Sequence, residues 1–539
     1  MAQGIETDTD SRSGDNAPGT ALVVSMDAPH QRLIQVVLRD VTDDNNQLVQ
    51  TREWLLHHKD VDGLALTGNL FAAECTMTGR GKVFIKRAPL PHVRQADGPP
   101  VDLAVEVRRP HGYNYTLCRT GPEDLESWVV LDYDGGAIGR TRALHHWQQS
   151  LRPATESHAL PQFLSNSWGD RNRDARIQEG FMLEEIDRAA ELGVDVVQID
   201  DGWQKGRTAN SAEAEEKGGV WTGFWEADPD FWAPDPERFP NGLEPLLERA
   251  KEHGLEIGLW YAPDSHRAFA NWERDVDQII TLHETYGVNH FKLDSIVAET
   301  HAARRNLAAM FQAILDRSEG KIVCDLDVTA GKRPGYFGEL TIGPLFVENR
   351  YTDWHSYWPH FTLRNLWQLS HWIDPRRLRM ELLNNGRNTE KYADDPLAPA
   401  LYPPSTLFAI VMFSNPLGWF ENTGLSDDYV ADVAPLVACW KEHRPALFDG
   451  DILPIGEVPD GVSWTGFLSD GGEGRDGYAV VLNEKNPSKT HRFSLPRSFG
   501  GAGILWGDGE VEVDGDQLTV TIEKPFGAVF VKLLVDDNG

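Results

Sequence analysis

Asn289-His290-Phe291-Lys292-Leu293-Asp294-Ser295 is the stretch on which the fold turns. Val288 to Leu293 reads as a short buried strand that ends in a carboxylate, with Lys292 two residues earlier on the same face of the pleat. A carboxylate at the end of a buried strand is poorly placed for packing. At the C-terminal tip of a parallel barrel strand it stands at the mouth, where the βα loops gather, and a neighbouring ammonium keeps it ionised as a nucleophile. For one such motif alone, an aspartate capping the next helix is the plain alternative.

Outward from this stretch the same texture repeats. Apolar, strand-like runs separated by helical patterns begin near Pro161 (QFLSNSW), Val194 (VDVVQIDD), Leu255 (LEIGLWYAP), Val288 (VNHFKLDS), Lys321 (KIVCDLD), Gly343 (GPLFVEN), Leu378 (LRMELLN) and Leu407 (LFAIVMFSN). Helices are expected between most of them, among others over Gly180 to Leu192 and Leu243 to His253. Eight such units in about 280 residues predict an α/β fold, a (β/α)8 TIM barrel, which typically takes about 250. A doubly wound open sheet is the alternative, but no Gly-x-Gly-x-x-Gly follows the first strand. On either side lie short alternating runs broken by turn residues, such as Leu33 to Leu38 and Leu70 to Cys75 before the barrel, and Gly477 to Leu482 and Leu518 to Ile522 after it. They predict flanking antiparallel β-sandwiches. The expected division is a disordered leader over 1–20, an N-terminal sandwich over 21–155, the barrel over 156–442 and a C-terminal sandwich over 443–539.

Composition narrows the function classes. A formal charge of −32 and a pI near 4.9 repel nucleic-acid phosphates and anionic membranes alike. Only 15 of the 51 basic residues are lysine. Acid excess with scarce lysine predicts a hydrated surface that stays soluble in high salt, an ordinary acidic enzyme being the alternative. Cys75, Cys118, Cys324 and Cys439 are far apart, without zinc or disulfide spacing. No secretory leader and no apolar run of about 18 residues is visible, so a cytoplasmic location is expected. No cofactor or metal motif appears, and the histidines are scattered. A homo-oligomer is compatible with the sequence and not specified by it.

The expected strand tips gather carboxylates and indoles: Trp168, Asp200-Asp201-Gly202-Trp203, Trp260 and Asp264, Lys292 and Asp294, Cys324 with Asp325 and Asp327, Glu348 with Arg350 and Asp353, Glu381 and Asn384, Trp419 and Glu421. Acids that accept hydroxyl hydrogens and flat rings that cover C–H faces suit a polyhydroxylated ligand.

Val197-Gln198-Ile199-Asp200-Asp201-Gly202-Trp203, Gly258-Leu259-Trp260, Phe291-Lys292-Leu293-Asp294 and the Arg350 to Asp353 segment, in this order and spacing, resemble the α-galactosidases of glycoside hydrolase clan D, families 27 and 36. The resemblance spans roughly residues 160 to 430. It implies retaining hydrolysis of galactose-containing oligosaccharides through a covalent glycosyl-enzyme, with Asp294 as nucleophile and Asp353 as the acid/base, which must begin neutral. It also implies that Asp200 and Asp201 accept from the 4- and 6-hydroxyls and that Lys292 reaches the 3- and 4-hydroxyls. Arg350 would reach the 2-hydroxyl, Trp168 and Trp260 would form aromatic walls, and Cys324 and Asp325 would read the C2 substituent. Retention requires the two carboxyls on opposite sides of the sugar, about 5 to 6 Å apart.

Asp325, Asp327 and Glu348 are rival acids, because the spelling Glu348-Asn349-Arg350-Tyr351-Thr352-Asp353-Trp354 departs from that of well-known members. Asp264 stands where many family 36 members place a glutamate, and the fifth-strand region lacks the glycine-rich cysteine motif of larger bacterial members. A related α-glycosidase, a galactosyltransferase on the same scaffold and a carbohydrate-binding protein without catalysis remain the competing readings.

Overall fold

A computed structural model describes residues 22–39, 47–56, 63–90, 101–109, 111–119, 125–327, 334–347 and 349–535. The expected leader over 1–20 and the rival acid Glu348 lie outside the described residues.

Eight parallel strands close into a barrel: Leu164–Asn166, Val196–Ile199, Glu256–Tyr261, His290–Leu293, Val323–Asp327, Leu345–Phe346, Leu378–Leu382 and Asn415–Trp419. Closure is made by the first strand, which pairs with the second on one edge and the eighth on the other. Seven strands sit where the apolar runs place them. The eighth does not. The run LFAIVMFSN from Leu407 to Asn415 predicts the strand itself, but Pro404–Val411 is a buried helix, with Pro404 in its first turn, and the strand Asn415–Trp419 begins only at the last residue of the run. A continuous apolar run has no period that separates a buried strand from a buried helix, so only the proline at the entrance marks the difference.

Around the barrel lie helices whose apolar stripes face inward. In Glu179–Leu192, the residues Phe181, Met182, Glu185, Ile186, Ala189 and Leu192 form the buried face. The helix stops at Gly193, left-handed with φ 86°, whose N–H returns to the carbonyls of Ala189 and Ala190. Among the described residues no α-helix joins the fifth and sixth strands.

Each flank is a two-sheet β unit. Before the barrel, a five-stranded antiparallel sheet (Gln31–Leu38, Val49–Leu56, Leu70–Cys75, Gly81–Arg87, Ser127–Tyr133) packs on a four-stranded one (Leu22–Met26, Leu64–Leu66, Leu103–Val107, Tyr113–Leu117). Its strands use both faces: Leu33, Phe71 and Phe84 pack toward the smaller sheet, while Ile34, Ala72, Val83 and Ile85 join the main core with the barrel. A five-stranded sheet also follows the barrel, between Asp451 and Leu534, and packs on a three-stranded one (Thr490–Ser494, Glu510–Asp514, Gln517–Thr521). There Phe467, Val480 and Phe530 join the main core, and Leu468, Val481 and Val531 fill the sandwich. The barrel is thus braced on both sides by apolar faces, and its strand tips are left to the loops.

Candidate active site

Lys292 is the centre of the mouth. Its strand is buried throughout, so its ammonium points into the barrel, 3.1 Å from Asp200 Oδ2 and 4.9 Å from the centre of the Trp419 ring. Burial by itself would discharge it; the negative charges of Asp200, Asp294 and Asp327 outweigh that and push its pKa up. Asp294, one residue beyond the strand, is only partly buried. Its Oδ2 accepts from Trp260 Nε1 at 3.4 Å and its Oδ1 from the N–H of Ser295 at 2.5 Å. Ser295 has φ 55°, a region that non-glycine residues avoid, and this sharp turn aims its N–H back at the carboxylate.

Asp200 and Asp201 follow the second strand, and they diverge. Asp200 faces Lys292 and also accepts from Asn166 Nδ2 at 2.7 Å and from the N–H of Asp201 at 2.9 Å. Asp201 turns to the next loop, accepting from Gln204 Nε2 at 2.7 Å and from the Thr208 hydroxyl. Burial raises its pKa to about 7. Gly202 is required here: at φ 123° a Cβ would stand 2.5 Å from that of Asp174. Trp203 ties this loop to the third strand by donating its indole N–H to Trp260 O at 2.8 Å. Trp221 lies 6.2 Å from Trp260, ring centre to ring centre. Asp264 is fully buried and holds the insert that follows the second strand, accepting from the N–H groups of Gly223 and His266 and from Asn271.

The loop after the sixth strand meets the loop after the first. Asp353 is partly exposed, and its two oxygens accept from Arg387 at 3.3 and 3.2 Å. The same guanidinium reaches Asp170, with Nε 3.3 Å from Oδ1. Burial raises Asp170 to about 7, with Arg387 pulling the other way. Beside this bridge, Arg171 lays its guanidinium over Trp168, Tyr351 and Trp354.

Arg350, by contrast, is 0% exposed. Its Nε donates to Glu381 at 3.0 Å, its backbone N–H to the other oxygen of Glu381, and a further guanidinium nitrogen to Thr362. The arginine that holds Asp353 is therefore Arg387, from beyond the seventh strand. Asp170 and Arg387 were missed in the sequence because nothing local links them. The available signal was a charged residue a few positions past a strand tip.

On the fifth strand the faces alternate. Cys324 is fully buried in the outer core with Leu326, and burial raises its thiol pKa well above the usual value. Asp325 points inward, but Arg379 takes its Oδ1 twice, at 3.0 and 2.8 Å. The structure thus turns Cys324 away from the mouth, whereas Asp325 faces the interior beside Lys292 with one oxygen committed to Arg379. Asp327, buried at the tip, is the fifth-strand carboxylate whose charge reaches Lys292.

Residues 126–285 match the Melibiase family model, a segment that carries Trp168, Asp200, Asp201 and Trp260 and stops short of Lys292 and Asp294. Alpha-galactosidase 2 of Pediococcus pentosaceus is 27% identical over 143 residues, 26% of this chain and 17% of that protein. The alpha-galactosidase of Escherichia coli is 33% identical over 84 residues, 16% of this chain and 10% of that protein. The alignments therefore span less than a fifth of the length of these two relatives. A glycoside hydrolase family 36 alpha-galactosidase from Geobacillus stearothermophilus, solved in complex with raffinose, superposes with a TM-score of 0.67 at 13% identity, over 95% of this chain and 76% of that one. The alpha-galactosidase from Lactobacillus brevis superposes at 0.64 with 11% identity, over 93% and 75%. In its melibiase segment and in its barrel with flanking β domains, the chain resembles the α-galactosidases of this clan.

Proposed function

We propose that this chain is a retaining α-galactosidase that removes terminal α-linked galactose from oligosaccharides through a covalent glycosyl-aspartate. One observation carries the reading: Asp294 stands partly exposed at a barrel-strand tip beside the buried, charged Lys292, and Asp353 offers a second partly exposed carboxyl from the loop after the sixth strand. In the first step the Asp294 carboxylate attacks C1 as the glycosidic C1–O bond breaks, and Asp353, carrying a proton on one oxygen while the other keeps its contact with Arg387, protonates the departing oxygen. In the second, water loses a proton to Asp353 and attacks C1, which releases Asp294 and restores the starting configuration.

Asp200 and Lys292 supply the polar floor for the sugar's hydroxyls, and Trp168 and Trp260 its apolar walls. Asp201 steadies the loop of Asp200 through Gln204 and Thr208. The raffinose complex of the Geobacillus relative supports this substrate class.

The test is turnover of nitrophenyl α-galactoside followed by NMR, beside the α-glucoside and the N-acetyl-α-galactosaminide. The galactoside should react fastest and release α-galactose first. Asp294→Ala should lose at least about 10⁴ in rate, and azide should restore turnover as the β-galactosyl azide. Release of β-galactose first, or an Asp294→Ala enzyme within about tenfold of wild type, would sink the reading.

A further inference from the structure

Of the chain's 18 tryptophans, all among the described residues, Trp354 alone is exposed. It leaves 48% of its surface to solvent, at the mouth and directly after Asp353 in the chain. A lone indole in water normally samples several rotamers. This one is held. The Arg171 guanidinium lies 4.4 Å from its ring centre, and the Tyr351 ring packs 4.5 Å away at 60°. Its backbone belongs to a closed turn: the N–H of His355 donates to Thr352 O at 3.1 Å, the N–H of Ser356 to Tyr351 O at 3.2 Å, and that of Tyr351 to Ser356 Oγ at 3.1 Å. His355 and Arg171 both have positive φ, 54° and 58°. With the cation against one face, the open part of the ring faces solvent as a flat apolar surface of fixed orientation.

From this geometry we infer that Trp354 is the platform for the leaving group, stacking on the C–H face of the sugar that departs from galactose. The inference rests on the galactosidase reading of the same mouth. Asp353 delivers its proton to the glycosidic oxygen, so the sugar attached through that oxygen lies beside Asp353, where the adjacent indole is presented. The ligand class is a hexopyranosyl leaving group, as in a melibiose- or raffinose-type substrate.

The experiment compares raffinose with α-galactosyl fluoride, whose leaving group is a single atom with nothing to stack. Trp354→Ala should lose about tenfold in kcat/KM on raffinose, mostly through KM, while its rate on the fluoride stays within about twofold. Trp354→Tyr should recover most of the raffinose loss. Equal losses on both substrates, no loss on raffinose, or a loss that accompanies a change of oligomeric state in sedimentation would each overturn the platform. A wild-type enzyme inert toward the fluoride would remove the galactosidase reading, and the platform with it. A wild type active on the fluoride beside a Trp354→Ala variant unimpaired on raffinose would remove the platform alone.

Discussion

Two buried charge pairs stand side by side inside the barrel. Lys292 and Asp325 are register partners on neighbouring strands, so their side chains share a face and a depth. Asp325 is paired with Arg379 and Lys292 with Asp200, and all four side chains are nearly inaccessible. What differs is how fully each cation is committed. Arg379 spends two nitrogens on one oxygen of Asp325 and a third on the carbonyl of Gln162 at 3.0 Å. Lys292 divides one ammonium among the fields of three carboxylates, and one of these, Asp294, remains open to the mouth. The fork geometry of arginine suits a fixed bidentate grip, and the point charge of lysine suits a shared one. The first pair joins strands. The second holds charge where a ligand can arrive.

Lys292→Met should break this comparison at its strongest point. It leaves Asp200 buried without its cation and Asp294 without its neighbouring charge, so a loss of about 10³ in kcat/KM is expected. Arg379→Met should behave oppositely, lowering the unfolding free energy by about 3–5 kcal/mol while the folded fraction turns over at close to the wild-type rate. Adding Asp325→Leu should recover most of that stability, because a matched apolar pair replaces a stranded charge. Denaturant melts and active-site-normalised rates measure both. An Arg379→Met enzyme that is stable but inactive would put Asp325 back at the substrate.

A smaller effect is expected at the bridge between the first and sixth loops. Arg387→Met frees Asp353 from its fixed orientation and leaves Asp170 buried without a cation. Proton delivery matters most when the leaving group is poor. Raffinose turnover should therefore fall by about 10-fold to 100-fold, and kcat/KM on an activated aryl galactoside by less than about threefold. Equal losses would mean that Arg387 only holds the loops together.

These contrasts explain what was legible in the sequence. The barrel was, because eight apolar runs with polar tips repeat one local rule, and the exception was the run whose apolar face is continuous. Asp294, Lys292 and Asp200 were legible because strand parity and a strand end suffice to place them. The partners of Asp353 were not. Arg350 precedes it by three residues yet turns inward to Glu381, and Arg387, far along the chain, reaches it only because the barrel closes. Local spacing places residues on an element; it does not say which loops converge above it.

The pH dependence of stability separates two sets of buried groups by sign. Burial raises Asp170, Asp201, Asp275 and Glu484 to about 7. The folded chain keeps these protons where the unfolded chain has released them, so their contribution is complete below about pH 4 and is lost as pH rises through 7. Burial lowers His145, His158, His360 and His371 to about 4. Their contribution is present above about pH 6.5 and is lost as pH falls toward 4. Between those limits the two sets oppose each other; above about 6.5 only the carboxyls still titrate. The melting temperature should be nearly level from about pH 5 to 6.5 and fall by a few degrees toward pH 8. A higher melting temperature at pH 8 than at pH 6 would mean that the buried carboxyls are ionised in the folded chain.

The smallest expected effect tests the geometry beneath all the others. Cys324 and Asp325 are neighbours on one strand, so the pleat sends them to opposite faces. Cys324 pairs in register with Phe291, also in the outer core, as Asp325 pairs with Lys292 inside. Cys324→Ala should therefore cost about 1 kcal/mol of stability and leave KM for a galactoside unchanged. The native thiol should also resist alkylation, being buried and raised in pKa. A threefold or larger change in KM, to order of magnitude, would mean that Cys324 faces the mouth. Because a one-residue slip inverts every side chain of a strand, Asp325 would then face outward, and the register that sets it beside Lys292 would be wrong as well.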